Sequence, residues 1–447
     1  MSALALDGGP AAGSPGPSPR LHVVSWNLTR RCGLRCAHCY LDAGGRASGA
    51  GELSTDACLS IVEELAGLED GMLLILTGGE PLLRADLEQI SARAASRGMM
   101  VVVGTSGTLL TADRARSLAT AGVAGVGVSI DFDGPEAHDR LRGVPGAWRA
   151  ALDAVRVARA AGLQVSIQTT LLRANRARLA AVAALASAEG ARVLSAYFLV
   201  CTGRAEELTD LSPSEYDATL VQLRVLEGRY RGRMLVAPKC APHYRRVVAE
   251  REGPGAEVHA FGGGCPAGVS YLRIGPRGEV TPCPYLPLVL GTAGETPLSE
   301  IWTASPVLRS LRARELRGKC GACDYRATCG GCRARAFAAT ADVLATDPSC
   351  AFSGIASSPP ARGVAHHSGA CSAPATYGAP ARATMTWTAD ASARLGRVPS
   401  VLRAMVVARV ERAARQAGEA EVTVERMQAV RRGAVGHPNV GHRDGAS

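Results

Sequence analysis

Three cysteines stand close together near the start of the chain, Cys32, Cys36 and Cys39, in the spacing Cys-x3-Cys-x2-Cys. Three thiolates can anchor three irons of a four-iron, four-sulfur cube and leave the fourth iron coordinatively open, where another molecule can bind. The competing reading is a zinc site with His38 as fourth ligand, but the adjacent side chains of His38 and Cys39 reach one tetrahedral ion awkwardly. A second cysteine-rich region runs Cys265, Cys283, Cys320-x2-Cys323-x5-Cys329-x2-Cys332 and Cys350. Two close cysteine pairs of this kind suit either a zinc ribbon or further iron–sulfur clusters. Cys58 falls in a helical pattern and Cys201 follows an apolar strand, so both read as buried small hydrophobes, while Cys371 reads as an incidental thiol in a linker.

These residues need a frame. From residue 21 onward, apolar runs of strand length alternate with helix-length amphipathic segments. Strands are expected at 21–29, 72–77, 100–105, 125–131, 164–171 and 192–200, with helices near 54–67, 85–97, 111–120, 147–161 and 175–188. The alternation implies a parallel sheet, curled into a barrel or left open. Loops at the carboxyl ends of such strands converge on one face, and the first three cysteines lie in the loop after the first strand. Other polar groups sit at strand ends: Thr77-Gly78-Gly79-Glu80-Pro81, Thr105-Ser106-Gly107, Ser129-Ile130-Asp131 and Gln168 to Thr170. A Gly-Gly pair alone is a turn signal, and Asp131 alone is equally a turn carboxylate before Gly134-Pro135. Residues 206 to about 260 read as helical and connecting sequence.

A chain of 447 residues exceeds one ordinary core and should divide into two or three domains. Its 47% apolar and 20% charged residues are those of a soluble globular protein. The net charge of +10 raises a nucleic-acid partner, but the arginines are scattered along helical segments and aromatics make up only 4%, so no nucleic-acid binding is expected. The basic balance suits a small substrate carrying several carboxylates. Residues 1–20 lack the basic start and apolar centre of a signal peptide, and no apolar run reaches the ~18 residues of a membrane span. A cytoplasmic location follows, where fourteen cysteines point to metal or cluster ligation rather than disulfides.

The cysteine motif with Tyr40 directly after it, followed by Gly78-Gly79-Glu80-Pro81 at the end of the second strand, resembles the radical S-adenosylmethionine superfamily. The resemblance implies a cluster that binds S-adenosylmethionine at its open iron and cleaves it to methionine and a 5′-deoxyadenosyl radical. It also implies a low-potential electron donor of the flavodoxin or ferredoxin type. Tyr40, Gly78, Gly79, Glu80, Ser106, Ser129 and Asp131 are the implied cofactor contacts, although many relatives carry Asn where Ser106 stands. The later cysteines resemble the SPASM extension of such proteins, including Gly278 separated from Cys283 by four residues. Two residues, not the usual three, separate Cys329 from Cys332. By this likeness Cys320, Cys323, Cys329 and Cys350 complete one auxiliary 4Fe-4S cluster. Cys265, Cys283 and Cys332 would serve another, one ligand short unless Cys240 or a non-cysteine group supplies it.

The implied architecture is α/β: a partial (β/α)6 radical SAM barrel at 21–205, a SPASM-like iron–sulfur domain at 206–353 and a small helical domain at 384–434. Residues 1–20, 354–383 and 435–447 are expected to be disordered. Peptide maturation is common among SPASM-bearing enzymes. Two segments pull elsewhere: Phe198 to Arg204 and Lys239 to Tyr244 look like those of radical SAM enzymes that trim tetrapyrrole side chains for heme d1 and in the alternative heme pathway. Residues 386–432 are similar to the small helical domain ending the B subunit of light-independent protochlorophyllide reductase. The leading expectation is therefore an oxidoreductase or lyase that removes or oxidises propionate or acetate side chains of a sirohaem-derived tetrapyrrole. Arg403, Arg409 and Arg412 would hold peripheral carboxylates, unless their helix is a docking element. His243 is either an axial ligand to substrate iron or a capping residue. No catalytic side chain is assigned beyond the cluster. A peptide maturase and a metal-stabilised tetrapyrrole carrier without enzymatic activity are the alternatives.

Overall fold

The computed structural model describes residues 19–431 apart from 45–48, 70, 208–210, 254–255, 257, 259–263, 354–382, 397 and 399. Most of the expected disordered segments, and Cys371, lie outside the described residues. The main sheet contains β1 (Val23–Asn27), β2 (Leu73–Thr77), β3 (Met100–Thr105), β4 (Val123–Ser129), β5 (Gln164–Leu171), β6 (Val193–Phe198) and β7 (Leu235–Lys239), followed by β8 (Tyr271–Ile274), β9 (Glu279–Thr281) and β10 (Gly291–Thr292). Their order is β10-β9-β8-β1-β2-β3-β4-β5-β6-β7. β1 to β7 run parallel in chain order, β8 joins β1 in parallel with Val23 opposite Tyr271, and β9 and β10 turn antiparallel.

The α/β fold and its first six strands agree with the periodicity of the sequence. β7 does not, since 206–260 reads as helix and connection. Its run Leu235-Val236-Ala237-Pro238-Lys239 is short and carries a proline, which has no N–H for a ladder. The structure puts it on the outer edge of the sheet, paired only with β6, where that loss is tolerated.

Side chains alternate along each strand. Val24, Trp26, Leu74, Leu76, Val101, Val103, Ile167, Leu194 and Val236 face outward into the main core. The helices there match their stripe: Ala147–Ala160 buries Ala151, Leu152, Val155 and Ala158 on one face. Each such Leu or Val contributes about 1.5–3 kcal/mol on burial. The inward positions are mixed: Leu73, Ile75, Val102 and Leu235 are apolar, while Ser25, Gly104, Ser166, Ser195 and Ala237 are small, and together they line a hollow interior.

Near the carboxyl end, Thr386–Trp387 and Glu421–Val422 form a parallel pair beside helices Ala389–Gly396, Ser400–Gln416 and Val424–Arg431. Ala391, Val410, Ala413, Ala414, Val422, Met427 and Val430 make a separate small core. Buried Glu411 ties its entry strand down by accepting from Thr384 N (2.7 Å), Met385 N (3.1 Å) and Trp387 Nε1 (3.0 Å). Val398, between two of these helices, packs against Val23 and Leu73 at the amino-terminal end of the main sheet. Among the described residues, no helix is long and apolar enough to cross a membrane.

Candidate active site

The loop after β1 carries the first three cysteines, and all three thiols line one cavity of about 400 Å³ inside the curled sheet. Each thiol has its own donor. Leu34 N approaches Cys32 Sγ at 3.4 Å, Ala43 N approaches Cys39 Sγ at 3.4 Å, and Arg142 Nη1 approaches Cys36 Sγ at 3.7 Å. The loop is pinned from two sides: Arg35 N and Ala37 N donate to Arg142 O and Leu141 O, and Arg204 donates to Cys36 O, Ala43 O and Asp42 Oδ1. Three cysteines on one cavity wall, each thiol served by an N–H donor, fit an iron–sulfur cube. Burial pushes the Cys32 thiol up to about 11, so loading metal there releases protons.

Gly78 and Gly79 end β2 hard against the β1 loop, with Gly79 N donating to Thr29 O at 2.7 Å. A Cβ on Gly79 would meet Arg31 O at 2.3 Å, so only glycine fits. Tyr40, Gly78, Gly79, Ser106 and Ser129 all line the cavity, as do Gln168 and Thr170. Glu80 and Asp131 stand behind that lining. Glu80 is 1% exposed and spends its carboxylate within the fold. It accepts from Thr105 Oγ1 (2.7 Å), Ser106 N (2.9 Å), Ser106 Oγ and Leu82 N (3.3 Å), binding the end of β2 to the end of β3. Asp131 is fully buried and accepts from Arg142 Nε at 2.8 Å and Thr170 N at 2.8 Å. It positions the guanidinium that reaches Cys36. His38 lines the cavity 3.9 Å from Asp131, and burial lowers it to about 4.

Across the cavity from the first motif stand Cys240, Cys265, Cys283 and Cys332, with Tyr285 beside Tyr40 at 5.1 Å between ring centres. Cys320, Cys323, Cys329 and Cys350 surround a different, smaller space with His243, Arg246 and Lys319. N–H donors again face the thiols: Tyr325 N to Cys323, Gly331 N to Cys329 and Asp347 N to Cys320, each at 3.4 Å. Gly330 and Gly331 both take left-handed backbone (φ 66° and 65°), which closes the turn between Cys329 and Cys332 in two residues. Buried Asp347 accepts from Cys332 N at 2.6 Å and from Arg335 at 3.1 Å, and lies 3.2 Å from His243 Nε2. His243 is 0% exposed, adjoins this network and stands at the cap position before helix Tyr244–Glu252, the capping alternative of the two sequence readings.

Five basic side chains line the large cavity, Arg142, Arg192, Arg204, Lys239 and Arg245, and among the described residues no Asp or Glu does. The sequence pointed elsewhere for these charges. Arg403 donates to the carbonyls of Gly396 and Val398 (2.7 Å each), Arg412 is exposed, and the Arg409 side chain lies outside the described residues. Arg142 and Arg192 had no local signal in the sequence, because each acquires meaning only from strands and loops far away along the chain.

Residues 26–186 match the Radical SAM superfamily, 265–332 an iron–sulfur cluster-binding domain termed SPASM, and 387–431 the Proto-chlorophyllide reductase 57 kD subunit. The AdoMet-dependent heme synthase of Methanosarcina barkeri is 39% identical over 344 residues, spanning 75% of this chain and 97% of that protein. The Pre-heme d1 synthase of Dinoroseobacter shibae is 35% identical over 361 residues, 76% of this chain and 87% of that protein. Among solved structures, Streptococcus suis SuiB superposes with a TM-score of 0.62 at 14% identity, covering 75% of this chain and 78% of SuiB, a likeness of fold.

Proposed function

The chain belongs to the radical S-adenosylmethionine superfamily, in the family that includes the AdoMet-dependent heme synthases, and from that premise we propose that its cavity receives a sirohaem-derived tetrapyrrole whose propionate or acetate side chains are removed or oxidised. It is an enzyme with a 4Fe-4S cluster, S-adenosylmethionine and auxiliary iron–sulfur clustering in its SPASM domain. The observation that carries the substrate reading is the composition of the wall: five basic side chains and no Asp or Glu among the described lining residues, with Arg142 and Arg204 already paired from behind by Asp131 and Asp42. A macrocycle rimmed with carboxylates is matched by such a wall, since Arg and Lys hold carboxylates by charge-assisted hydrogen bonds. The match of 387–431 to a protochlorophyllide reductase subunit supports the same class of ligand. Peptide-modifying relatives stand further off.

Cys32, Cys36 and Cys39 are the proposed cluster ligands, with Tyr40, Gly78, Gly79, Ser106 and Ser129 around the cofactor. When bound, the reduced cluster and S-adenosylmethionine supply a 5′-deoxyadenosyl radical that takes a hydrogen atom from the substrate. Arg142 holds the cluster loop through Cys36. Arg192, Lys239 and Arg245 stand where substrate carboxylates can be oriented, and the apolar outer shell keeps water from the reaction. Cys320, Cys323, Cys329 and Cys350 are the proposed ligands of one auxiliary cluster. The electron comes from a flavodoxin- or ferredoxin-type donor, and the enzyme works in the cytoplasm. Reconstituted protein is incubated anaerobically with S-adenosylmethionine, reductant and didecarboxysiroheme or related macrocycles. Mass spectrometry should detect loss of carbon dioxide, acetate or propionate together with 5′-deoxyadenosine. Failure both to bind any of these macrocycles and to form 5′-deoxyadenosine in their presence would overturn the reading.

A further inference from the structure

Tyr40 follows the third cysteine of the first motif and lines the cavity. Its ring packs edge-on against Tyr285, with 5.1 Å between ring centres and 62° between planes. Its hydroxyl is held from behind by Asn27, the fully buried last residue of β1, whose Nδ2 lies 2.8 Å from Tyr40 Oη. A third residue fixes which way that bond runs. Arg273 of β8 places its Nε 2.6 Å from the other polar atom of the Asn27 amide, and a guanidinium only donates, so that atom is the oxygen. The amide nitrogen therefore faces Tyr40, and the phenol oxygen is the acceptor. A phenol that accepts still has its own proton to give. Among the described residues no group accepts that proton. Tyr271 and Tyr285, on the same wall, stand near enough for their phenols to interact electrostatically with that of Tyr40, so the hydroxyls share one stretch of the cavity.

We propose that Tyr40 binds substrate: its hydroxyl donates a hydrogen bond to a carboxylate carried by the macrocycle. The proposal rests on the reading of the substrate as a tetrapyrrole that bears carboxylates. S-Adenosylmethionine also carries a carboxylate, and the order of the sheet separates the two ligands. Gly78, Gly79 and Ser106, assigned to the cofactor, follow β2 and β3 on one side of β1, whereas Arg273 and Tyr285 fix Tyr40 toward β8 on the other. Tyr40 then stands at the boundary between cofactor and substrate. The basic residues of the wall attract carboxylates by charge; a neutral donor fixed by its neighbours selects where one of them comes to rest. Asn27 and Arg273 are positioning residues, acting only through the phenol they orient.

The test compares the full-length wild type with Tyr40→Phe, Asn27→Asp and the double variant, each reconstituted anaerobically. Didecarboxysiroheme is titrated into each and followed by difference absorbance, iron is counted, and S-adenosylmethionine affinity is measured by equilibrium dialysis. Tyr40→Phe keeps the ring and its packing on Tyr285 but lacks the proton. It should bind didecarboxysiroheme roughly 10- to 100-fold more weakly, the loss of one hydrogen bond to a charged acceptor, with iron unchanged and S-adenosylmethionine affinity within about twofold. Asn27→Asp leaves Tyr40 in place and reverses the bond, because a carboxylate beside Arg273 accepts the phenol proton and withdraws it from the cavity. It should weaken macrocycle binding at least about fivefold, and in the double variant the two losses should not add, since Asn27 acts through Tyr40. Macrocycle affinity equal to wild type in Tyr40→Phe overturns the proposal. A loss confined to S-adenosylmethionine also overturns it and gives the hydroxyl to the cofactor. Should Tyr40→Phe not fold, unchanged macrocycle affinity in Asn27→Asp does so. Wild type that binds no macrocycle overturns the substrate reading itself, a failure read from a different sample.

Discussion

Arg142 Nη1 lies 3.7 Å from Cys36 Sγ, although 106 residues separate them along the chain. Asp131, fully buried, holds the same guanidinium through Nε and Nη2. The positive charge is therefore fixed beside one thiol of the first motif, and it stabilises the more negative, reduced state of a cluster bound there. Replacing Arg142 by Gln should lower the midpoint potential of that cluster and cut 5′-deoxyadenosine formation roughly 10- to 100-fold. Arg142→Lys, which keeps charge but loses the fork, should recover part of the potential. A redox titration followed by electron paramagnetic resonance decides it; equal potentials in all three proteins would contradict the electrostatic role.

Gly79→Ala tests the close approach of the two loops. The added methyl would stand 2.3 Å from Arg31 O, a backbone atom that cannot swing away. S-Adenosylmethionine binding should weaken at least roughly tenfold, about 1.4 kcal/mol, while iron content stays near wild type. Equilibrium dialysis measures the first quantity and chemical analysis the second.

His138 gives a signed pH dependence. Asp131 N donates to His138 Nδ1 at 3.2 Å, so that nitrogen is unprotonated, and burial lowers the imidazole to about 4. Between that value and the ordinary ~6.5 the unfolded chain binds more protons than the folded one. The contribution is complete above pH 6.5 and is lost as pH falls toward 4, amounting to about 2 kcal/mol by pH 5. His138→Gln keeps an acceptor but cannot titrate. Its melting temperature should fall less between pH 7 and pH 5 than that of the wild type.

Val398→Asp places a charge against Val23 and Leu73 at the amino-terminal end of the sheet. Partial desolvation of that carboxylate should cost roughly 1–3 kcal/mol of docking between the carboxyl-terminal helices and the sheet. Limited proteolysis should then release the segment from Thr384 onward faster than in wild type. Identical digestion rates would show that this contact does not hold the domain.

Much of the framework was legible because its signals are local. Alternating strands and helices fix the parallel sheet, and the loop after β1 carries Cys32, Cys36 and Cys39 within eight residues. β7 was illegible because Pro238 weakens the strand pattern and only its edge position makes the proline tolerable. The direction of a carboxylate was equally hidden. Glu80 and Asp131 sit at strand ends in sequence, yet the donors that hold them behind the cavity wall, Ser106 and Arg142, come from the loop after β3 and the end of helix Pro135–Arg142. Cys240 carries no motif with its neighbours. Its place among three other thiols emerges from packing between β7, the helix Arg333–Thr340 and the loop at Cys265.

The small residues among the inward positions of the strands separate part of the shape of the hollow from the packing of the outer core. Outward Trp26, Leu76 and Ile167 pack in the main core, whereas inward Ser25, Ser166 and Ser195 line the hollow. Mutation of the inner set leaves the outer packing intact, so a lineage built on this sheet can be refitted to cargo of another size without first acquiring extra stability to absorb the change.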